Sequence, residues 1–507
     1  MSVHDKILDL DDLRAELDRI RDSRRIVHCH GTFDIMHLGH IRHFRKAREL
    51  GDVLVVTVTP DRFVNKGPHR PMFTAEHRAE VLASLAEIDY VAVNRWPTAV
   101  ETIALLRPHV YVKGDEYRQA ENDVTGKIVD EQQAVEAVGG EIRYTEDIVF
   151  SSSNIINRTM SPFSEEVQAW LLDFSSRHDS RSILEALERM RSLRVLALGE
   201  TIVDEYHFCE TLGKSGKEPV LVAKCLHKER YAGGILAVAN HLAAFADRVS
   251  LLSQVGGQNP QLDFIRESLR PNVEQDFQEV PHGVTLVKRR FVERYPFQKL
   301  FETYTMNGNE YDPVHSVRFR QRLEEILPEM DLVVVADYGH GLIHPDTAEL
   351  LEEKARFLAI NTQMNAGNQG YHAYSKYRRA DLISISENEL RMEARSRTAT
   401  VEELILRAAE RANCERIVIT QGERGCLCWS AAEGFFRVPA FTTKVVDRIG
   451  AGDTVLSVVS LCGALGLPIE VAGFLGSVAG AEAVATVCNK KFLDKVGFQK
   501  SVVSLLK

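Results

Sequence analysis

The strongest constraint on this chain is the decapeptide at residues 31–40, Gly-Thr-Phe-Asp-Ile-Met-His-Leu-Gly-His. It follows an apolar run, Ile26–Cys29, and opens a helical pattern with Leu38, Ile41, Phe44 and Ala47 on one face. A second apolar run, Val53–Val58, comes next. The spacing predicts a strand–turn–helix–strand unit with the motif at the carboxyl end of its first strand, where open α/β sheets bind ligands. His37 and His40 lie three residues apart, so both imidazoles are expected on one side of the helix start. Gly39 leaves room for a nucleotide to approach the backbone closely. Two imidazole donors beside a helix N-terminus can neutralise charge that builds up on a triphosphate under attack. The plainer alternative is two surface histidines on a helix cap. The preceding Gly-Thr-Phe-Asp and the strand frame weigh against it.

Further signals run in order along the same segment: Lys66-Gly67-Pro68-His69-Arg70-Pro71, then Glu76-His77-Arg78 at a helix start. Val112-Lys113-Gly114-Asp115-Glu116-Tyr117 and Ser151-Ser152-Ser153-Asn154-Ile155-Ile156 follow. With these, residues 25–158 resemble the HxGH nucleotidyltransferases, the superfamily of glycerol-3-phosphate and ethanolamine-phosphate cytidylyltransferases and of heptose-1-phosphate adenylyltransferase. The resemblance implies a Rossmann-like fold and assigns catalysis to His37, His40, Lys66 and Arg70. It places Gly31, Thr32, Phe33, Gly39, Arg78, Lys113, Gly114, Asp115 and Ser151–Ser153 at the nucleotide. Asp34 either contacts substrate or holds the turn, and Asp115 either contacts the base or ribose or caps a turn. For Arg78 the alternative to the phosphate site is a helix-face salt bridge.

The 507 residues allow two to four domains, and 44% hydrophobic with 26% charged residues is the make-up of an ordinary globular protein. A net charge of −10 and a pI near 6.0 argue against a nucleic-acid scaffold and for small-molecule chemistry. Eight cysteines without paired zinc spacing read as reduced thiols. With no apolar signal region and no run of membrane-spanning length, a cytoplasmic protein without membrane contact is expected.

The pattern divides the chain into residues 1–158, opened by an amphipathic helix over 1–24, a helical linker over 159–192, and a second α/β region over 193–507. Within the first part, 26–30, 53–59, 89–93 and 110–113 are strand-like, and 75–87 and 127–138 helical. The linker carries Trp170, Leu171, Phe174, Leu184, Leu187 and Met190 at helical spacing. An apolar stripe with nothing local to bury it suggests an interface, hence a homo-oligomer.

In the second region strand-like Arg194–Leu198 leads to Gly199-Glu200-Thr201-Ile202-Val203-Asp204. Ala232-Gly233-Gly234 precedes an apolar helix, Ile235–Phe245. Asp331–Ala336 runs into Asp337-Tyr338-Gly339-His340-Gly341, and Arg416–Thr420 precedes Gln421-Gly422-Glu423-Arg424-Gly425. Last comes Ile449-Gly450-Ala451-Gly452-Asp453-Thr454 before the helix Val455–Leu465. A Gly-x-Gly turn at a helix start offers N–H donors to phosphate oxygens, and an aspartate there can take a proton from an attacking hydroxyl. These five ordered signals resemble the ribokinase/PfkB-type sugar kinases. The resemblance implies Asp453 as base, Thr420, Gly422, Gly450, Ala451 and Gly452 at the nucleotide, and Asp204, Gly233 and Gly234 at the sugar. No direct protein metal ligand is assigned beyond a possible Glu389. The chain departs from the family pattern at Ala237, His340, Asn361, Ser386 and Ile449, which predicts a kinase half that is retuned or degenerate.

Both resemblances together are similar to the bifunctional heptose-phosphate kinase/heptose-1-phosphate adenylyltransferases. That family's kinase module comes first, which implies a reversed order here. The implied activity joins an NMP from ATP or CTP, with Mg²⁺, to a heptose-1-phosphate-like sugar phosphate, giving an NDP-sugar for surface polysaccharide. The alternatives are a CTP-dependent glycerol- or polyol-phosphate cytidylyltransferase with a non-catalytic kinase half, and a non-enzymatic metabolite sensor.

Overall fold

The computed structural model describes residues 3–64, 71–115, 127–145, 163–306, 313–369, 372–442 and 444–506. The chain is α/β throughout and forms two compact units, residues 1–172 with 499–507, and residues 173–498.

The first unit is built on a parallel sheet of β1 (Ile26–Gly31), β2 (Val53–Val58), β3 (Tyr90–Val93), β4 (Val110–Gly114) and β5 (Glu141–Thr145), in the order β3-β2-β1-β4-β5. β1 and β2 are apolar on both faces because helices cover both. Val27, Leu54, Val56, Phe44 and Leu82 fill one cluster, and Leu10, Leu13, Ile26, Val53 and Val55 the other. Each such aliphatic side chain contributes about 1.5–3 kcal/mol on burial. The strand order reverses at β1, so the crevice between the carboxyl ends of β1 and β4 is the switch point that binds ligands in such sheets.

Four details depart from the sequence expectation. The N-terminal helix is broken: Val3–Lys6 is followed by a bridge of Ile7 to Val91, and a second helix, Leu10–Ile20, starts on the Asp9 cap. Leu38 is 51% exposed, so the helix Leu38–Arg48 buries Phe44 and Ala47 without it. β5, Glu-Ile-Arg-Tyr-Thr, is an edge strand too polar to stand out in the sequence. The stripe over 170–190 is covered within its own chain: the Phe174 ring meets Phe474 at 4.6 Å, Arg177 donates to Glu470 Oε1 at 2.8 Å, and Ile183, Leu187 and Met190 are buried. Phe174, Leu187 and Met190 are therefore not part of an uncovered apolar face of the kind a second copy would bury.

The second unit has a nine-stranded sheet in the order β10-β9-β6-β13-β14-β15-β16-β17-β18. These are β6 (Arg194–Gly199), β9 (Arg248–Gly256), β10 (Val273–Val280), β13 (Leu332–Asp337), β14 (Leu358–Thr362), β15 (Leu382–Ser386), β16 (Arg416–Thr420), β17 (Cys426–Ser430) and β18 (Gly434–Val438). All pairings are parallel except those of β17 and β18. A four-stranded sheet, β12-β11-β7-β8, is formed by β7 (Thr201–Lys214), β8 (Leu221–Gly234), β11 (Leu286–Glu293) and β12 (Gln298–Thr305). Its start, Thr201 to Asp204, is buried, while β8 is exposed from Leu221 to Lys228 apart from half-buried Ala223. The helices Ile235–Leu242, Ala451–Ala464 and Ile469–Val484 are apolar nearly all round and buried accordingly. The four-stranded sheet was not anticipated, because its long polar strands carry little hydrophobic alternation.

No helix among the described residues is long and apolar enough to cross a membrane. All eight cysteines are free, and the Sγ atoms of Cys426 and Cys428 lie 3.6 Å apart.

Candidate active sites

In the first unit, β1 ends at Gly31, where a Cβ would lie 2.9 Å from a Phe33 ring atom. Phe33 itself has φ +48°, a left-handed conformation that turns the chain sharply off the strand. His37 is the N-cap residue of Leu38–Arg48 and places no side-chain bond on the helix end; the His40 N–H is turned to His37 O at 3.0 Å, which leaves the N–H groups of Leu38 and Gly39 for an anion. The His37 and His40 rings stack with centroids 3.9 Å apart, and the Phe33 ring meets His40 edge-on at 5.4 Å. Both nitrogens of His37 are buried without a hydrogen-bond partner among the described residues. Burial holds the His37 pKa below its ordinary value.

Asp34 is buried, and its Oδ1 accepts from Met72 N at 2.6 Å and Phe73 N at 3.4 Å, which anchors the chain just beyond residue 70. It holds the turn. Arg78, expected at the nucleotide, is buried instead under that turn. Its guanidinium donates to Thr32 O, to Phe73 O and Thr59 O at 2.9 and 2.8 Å, and to Asp61 at 2.6 Å. A group with these partners is a strut, and the phosphate-contact role is corrected. Lys113 at the end of β4 pairs with Glu131 at 2.8 Å, next to Gly114, and Asp115 is exposed at the strand end. Thr32 and Gly39 flank the histidines. Lys66, Arg70 and Ser151–Ser153 lie outside the described residues.

In the second unit Asp453 sits in the first turn of Ala451–Ala464, whose N-cap Gly450 has φ +86° and offers no side-chain cap. A Cβ at Gly450 would lie 2.1 Å from Asn489 Oδ1, whereas one at Gly452 would meet nothing within 4 Å. The turn is thus packed on one side and open on the other. Asp453 accepts from the Tyr338 hydroxyl at 2.6 Å, and burial pushes its pKa up to about 7. The sequence did not single out Tyr338 in this role, although the Asp337-Tyr338-Gly339 signal contained it. Glu200 accepts from Tyr338 N and His340 N, both at 2.9 Å, and so fixes the loop after β13. His340 is pushed down to about 4 by burial and then by Lys288, and is neutral at pH 7.

Asp204 forms a buried ion pair with Arg290, and a Cβ at Gly233 would lie 2.1 Å from Asp204 Oδ2. Gly234, at φ +54°, starts the helix Ile235–Leu242, in which Ala237 is fully buried. Thr420 closes β16 and Gly422, at φ +63°, begins the next turn. The departures from the family pattern are bonded into the fold. Asn361 Nδ2 donates to Ser384 O at 2.7 Å, and Ser386 caps Glu387–Glu393. Glu389 Oε2 completes that capping box while Oε1 accepts from Met364 N at 3.0 Å. Both Glu389 oxygens therefore help to hold the backbone around Ser386 and Met364. No group of three acidic, His or Cys side chains among the described residues could hold a metal ion.

Comparison with known proteins agrees with this architecture. Residues 192–488 match the pfkB family carbohydrate kinase model, and residues 28–159 the cytidylyltransferase-like model. The bifunctional protein HldE of Desulfatibacillum aliphaticivorans is 30% identical over 302 residues, 58% of this chain and 60% of that protein. HldE of Syntrophotalea carbinolica is 38% identical over 154 residues, 30% of each chain. Each match thus spans less than two thirds of the relative's length. Phosphofructokinase-2 from Escherichia coli in complex with potassium shares the fold at 14% identity and a TM-score of 0.50, covering 62% of this chain and 99% of that one. The matched families give the order in this chain, transferase-like first and kinase-like second. The expected reversal relative to bifunctional relatives is not upheld by these matches, which establish the order in this chain alone. The chain belongs to the pfkB carbohydrate kinase family and carries a cytidylyltransferase-like module ahead of its kinase part.

Proposed function

We propose that the first unit transfers an NMP from an NTP to a sugar phosphate, with release of pyrophosphate and formation of an NDP-sugar. The observation that carries this reading is the stacked His37–His40 pair, with both His37 nitrogens unsatisfied, at an uncapped helix start beside the sheet's switch point. A phosphate oxygen of the acceptor attacks the α-phosphorus in line, the P–O bond to the β-phosphate breaks, and pyrophosphate leaves. The imidazoles donate to oxygens that gain charge as this occurs. Lys66, Arg70 and Ser151–Ser153 are proposed at the phosphates, and Gly31, Thr32, Phe33, Gly39, Gly114 and Asp115 around the nucleotide. Mg²⁺ would accompany the nucleotide and supply charge neutralisation at its phosphates.

The resemblance to the bifunctional heptose-phosphate kinase/heptose-1-phosphate adenylyltransferases favours ATP over CTP and a heptose-1-phosphate-like acceptor. Pyrophosphate release by the full chain, assayed with ATP and CTP against heptose, glycerol and ribitol phosphates, tests this. Turnover with ATP and heptose 1-phosphate is expected; preference for CTP with glycerol phosphate would replace the reading.

The kinase half we read as retuned. Asp453 keeps a buried position and a pKa suited to a general base, and the Gly450–Gly452 turn keeps its open face. Its substrate is then a sugar phosphate whose hydroxyl gives its proton to the Asp453 oxygen that Tyr338 leaves free, while Thr420 and Gly422 flank the nucleotide. Division at residues 158 and 192 into transferase, linker and kinase parts belongs to the same proposal.

A further inference from the structure

Lys288, on β11, is 6% exposed, yet its ammonium makes no hydrogen bond and no ion pair among the described residues. Its Nζ lies 5.3 Å from the ring centroid of Tyr304 and 5.5 Å from that of Tyr338, the tyrosine that donates to Asp453. In the β7–β11 register Lys288 stands opposite Asp204. The charges that act on it are those of Asp204, Asp453 and Glu200, with Arg290 opposing them. Its cationic neighbours are already engaged: Arg290 binds Asp204 and Glu302, Lys376 binds Asp337, and His340 is neutral. Burial leads in pulling the Lys288 pKa below the ordinary lysine range.

Burial of most of the side chain leaves the ammonium few acceptors, and two aromatic faces compensate only in part, while Nζ itself is not sealed from solvent and so can be reached by a ligand. The arrangement makes sense if a ligand supplies the missing oxygens. The nucleotide end of this site is the open N-terminus of Ala451–Ala464, whereas Lys288 comes from the other sheet, beside Asp204 and Gly233. Resting on the reading of this half as a kinase of sugar phosphates, we propose that Lys288 binds the phosphate monoester that the acceptor sugar already carries, and so sets the specificity for phosphorylated over free sugar.

The test uses the full chain and the variant K288M, titrated calorimetrically with heptose 7-phosphate and with unphosphorylated heptose, without nucleotide. Wild type should bind the phosphorylated sugar at least about tenfold more tightly than the free sugar. K288M should lose that preference, bind free heptose as wild type does, and keep the wild-type KM for ATP. K288M should melt no lower than wild type, because methionine replaces an unpaired buried charge with an apolar chain of similar length. K288R, which keeps the charge, should retain part of the preference. Absence of a preference in wild type, equal weakening of both sugars in K288M, or a change confined to the KM for ATP would each overturn the assignment, the last by placing Lys288 at the nucleotide's γ-phosphate. ADP formation in the same samples tests the kinase reading separately. Phosphate-dependent binding without turnover removes that reading and leaves the Lys288 assignment standing.

Discussion

The two units place their reacting groups in opposite ways. The first presents His37, whose ring nitrogens have no hydrogen-bond partner among the described residues, stacked on His40 at a helix start without a side-chain cap. The second keeps its reacting carboxylate in a dense internal network, in which Asp453 is bonded to Tyr338 and Tyr338 is held in turn by Glu200. On the proposed function, the first site works through a group left unsatisfied and the second through burial that retunes a group already satisfied. The difference follows from the chemistry. Charge that develops on an NTP needs donors waiting for it, whereas deprotonation of a sugar hydroxyl needs a carboxylate with raised basicity.

The comparison breaks most decisively at Asp453. Asp453→Asn should lower ADP formation about 10²–10⁴-fold and leave pyrophosphate release untouched. In wild type the same ADP assay should gain about tenfold per pH unit up to pH 7 and then level, since the base must be ionised and its pKa lies at about 7. ADP formation that is flat from pH 5 to 8 would contradict the assignment.

His40→Ala should cost the transferase about 10²–10³-fold, with the melting temperature kept and ADP formation unchanged. Near-normal pyrophosphate release by this variant would remove the histidine pair from the mechanism.

Arg78→Met tests the correction made in the first unit. It leaves three carbonyls and Asp61 without their donor, so the unit should lose about 2–4 kcal/mol in denaturant unfolding. If the site is otherwise intact, the KM for the NTP changes little; a large rise in KM at unchanged stability would return Arg78 to the phosphates.

The smallest effect is expected for Tyr338→Phe. The phenol holds the Asp453 pKa down against burial, so its loss should raise that pKa and move the acid limb of ADP formation to higher pH, with a fall of a few-fold at pH 7. A shift to lower pH would show that the hydrogen bond does not act on the base.

Much of this was legible in the chain. The apolar runs of β1, β2, β13 and β16 are short and bounded by glycine or polar turns, so their period and punctuation declare buried parallel strands. The Gly-Thr-Phe-Asp…His-Leu-Gly-His and Gly-Ala-Gly-Asp stretches declared two turns into helices for the same local reason: each is a strand end or loop feeding a helix start, and a dozen residues specify it. β5 and the four-stranded sheet escaped, because polar strands acquire their faces from partners far along the chain.

Side-chain roles divided along the same line. His37 and His40 stand three residues apart, so the sequence by itself put both at one helix start, as it determined the α/β class; the fold decided that their rings stack, with His37 extended at the N-cap. Only tertiary structure decided that Arg78 is a strut, that the Phe174 ring meets Phe474, that Tyr338 bonds Asp453, and that Lys288 lies over the Tyr338 ring. Each of these depends on groups tens to hundreds of residues apart. A hydrogen bond, an ion pair or the lack of one is a property of such meetings, and local spacing carries no record of them.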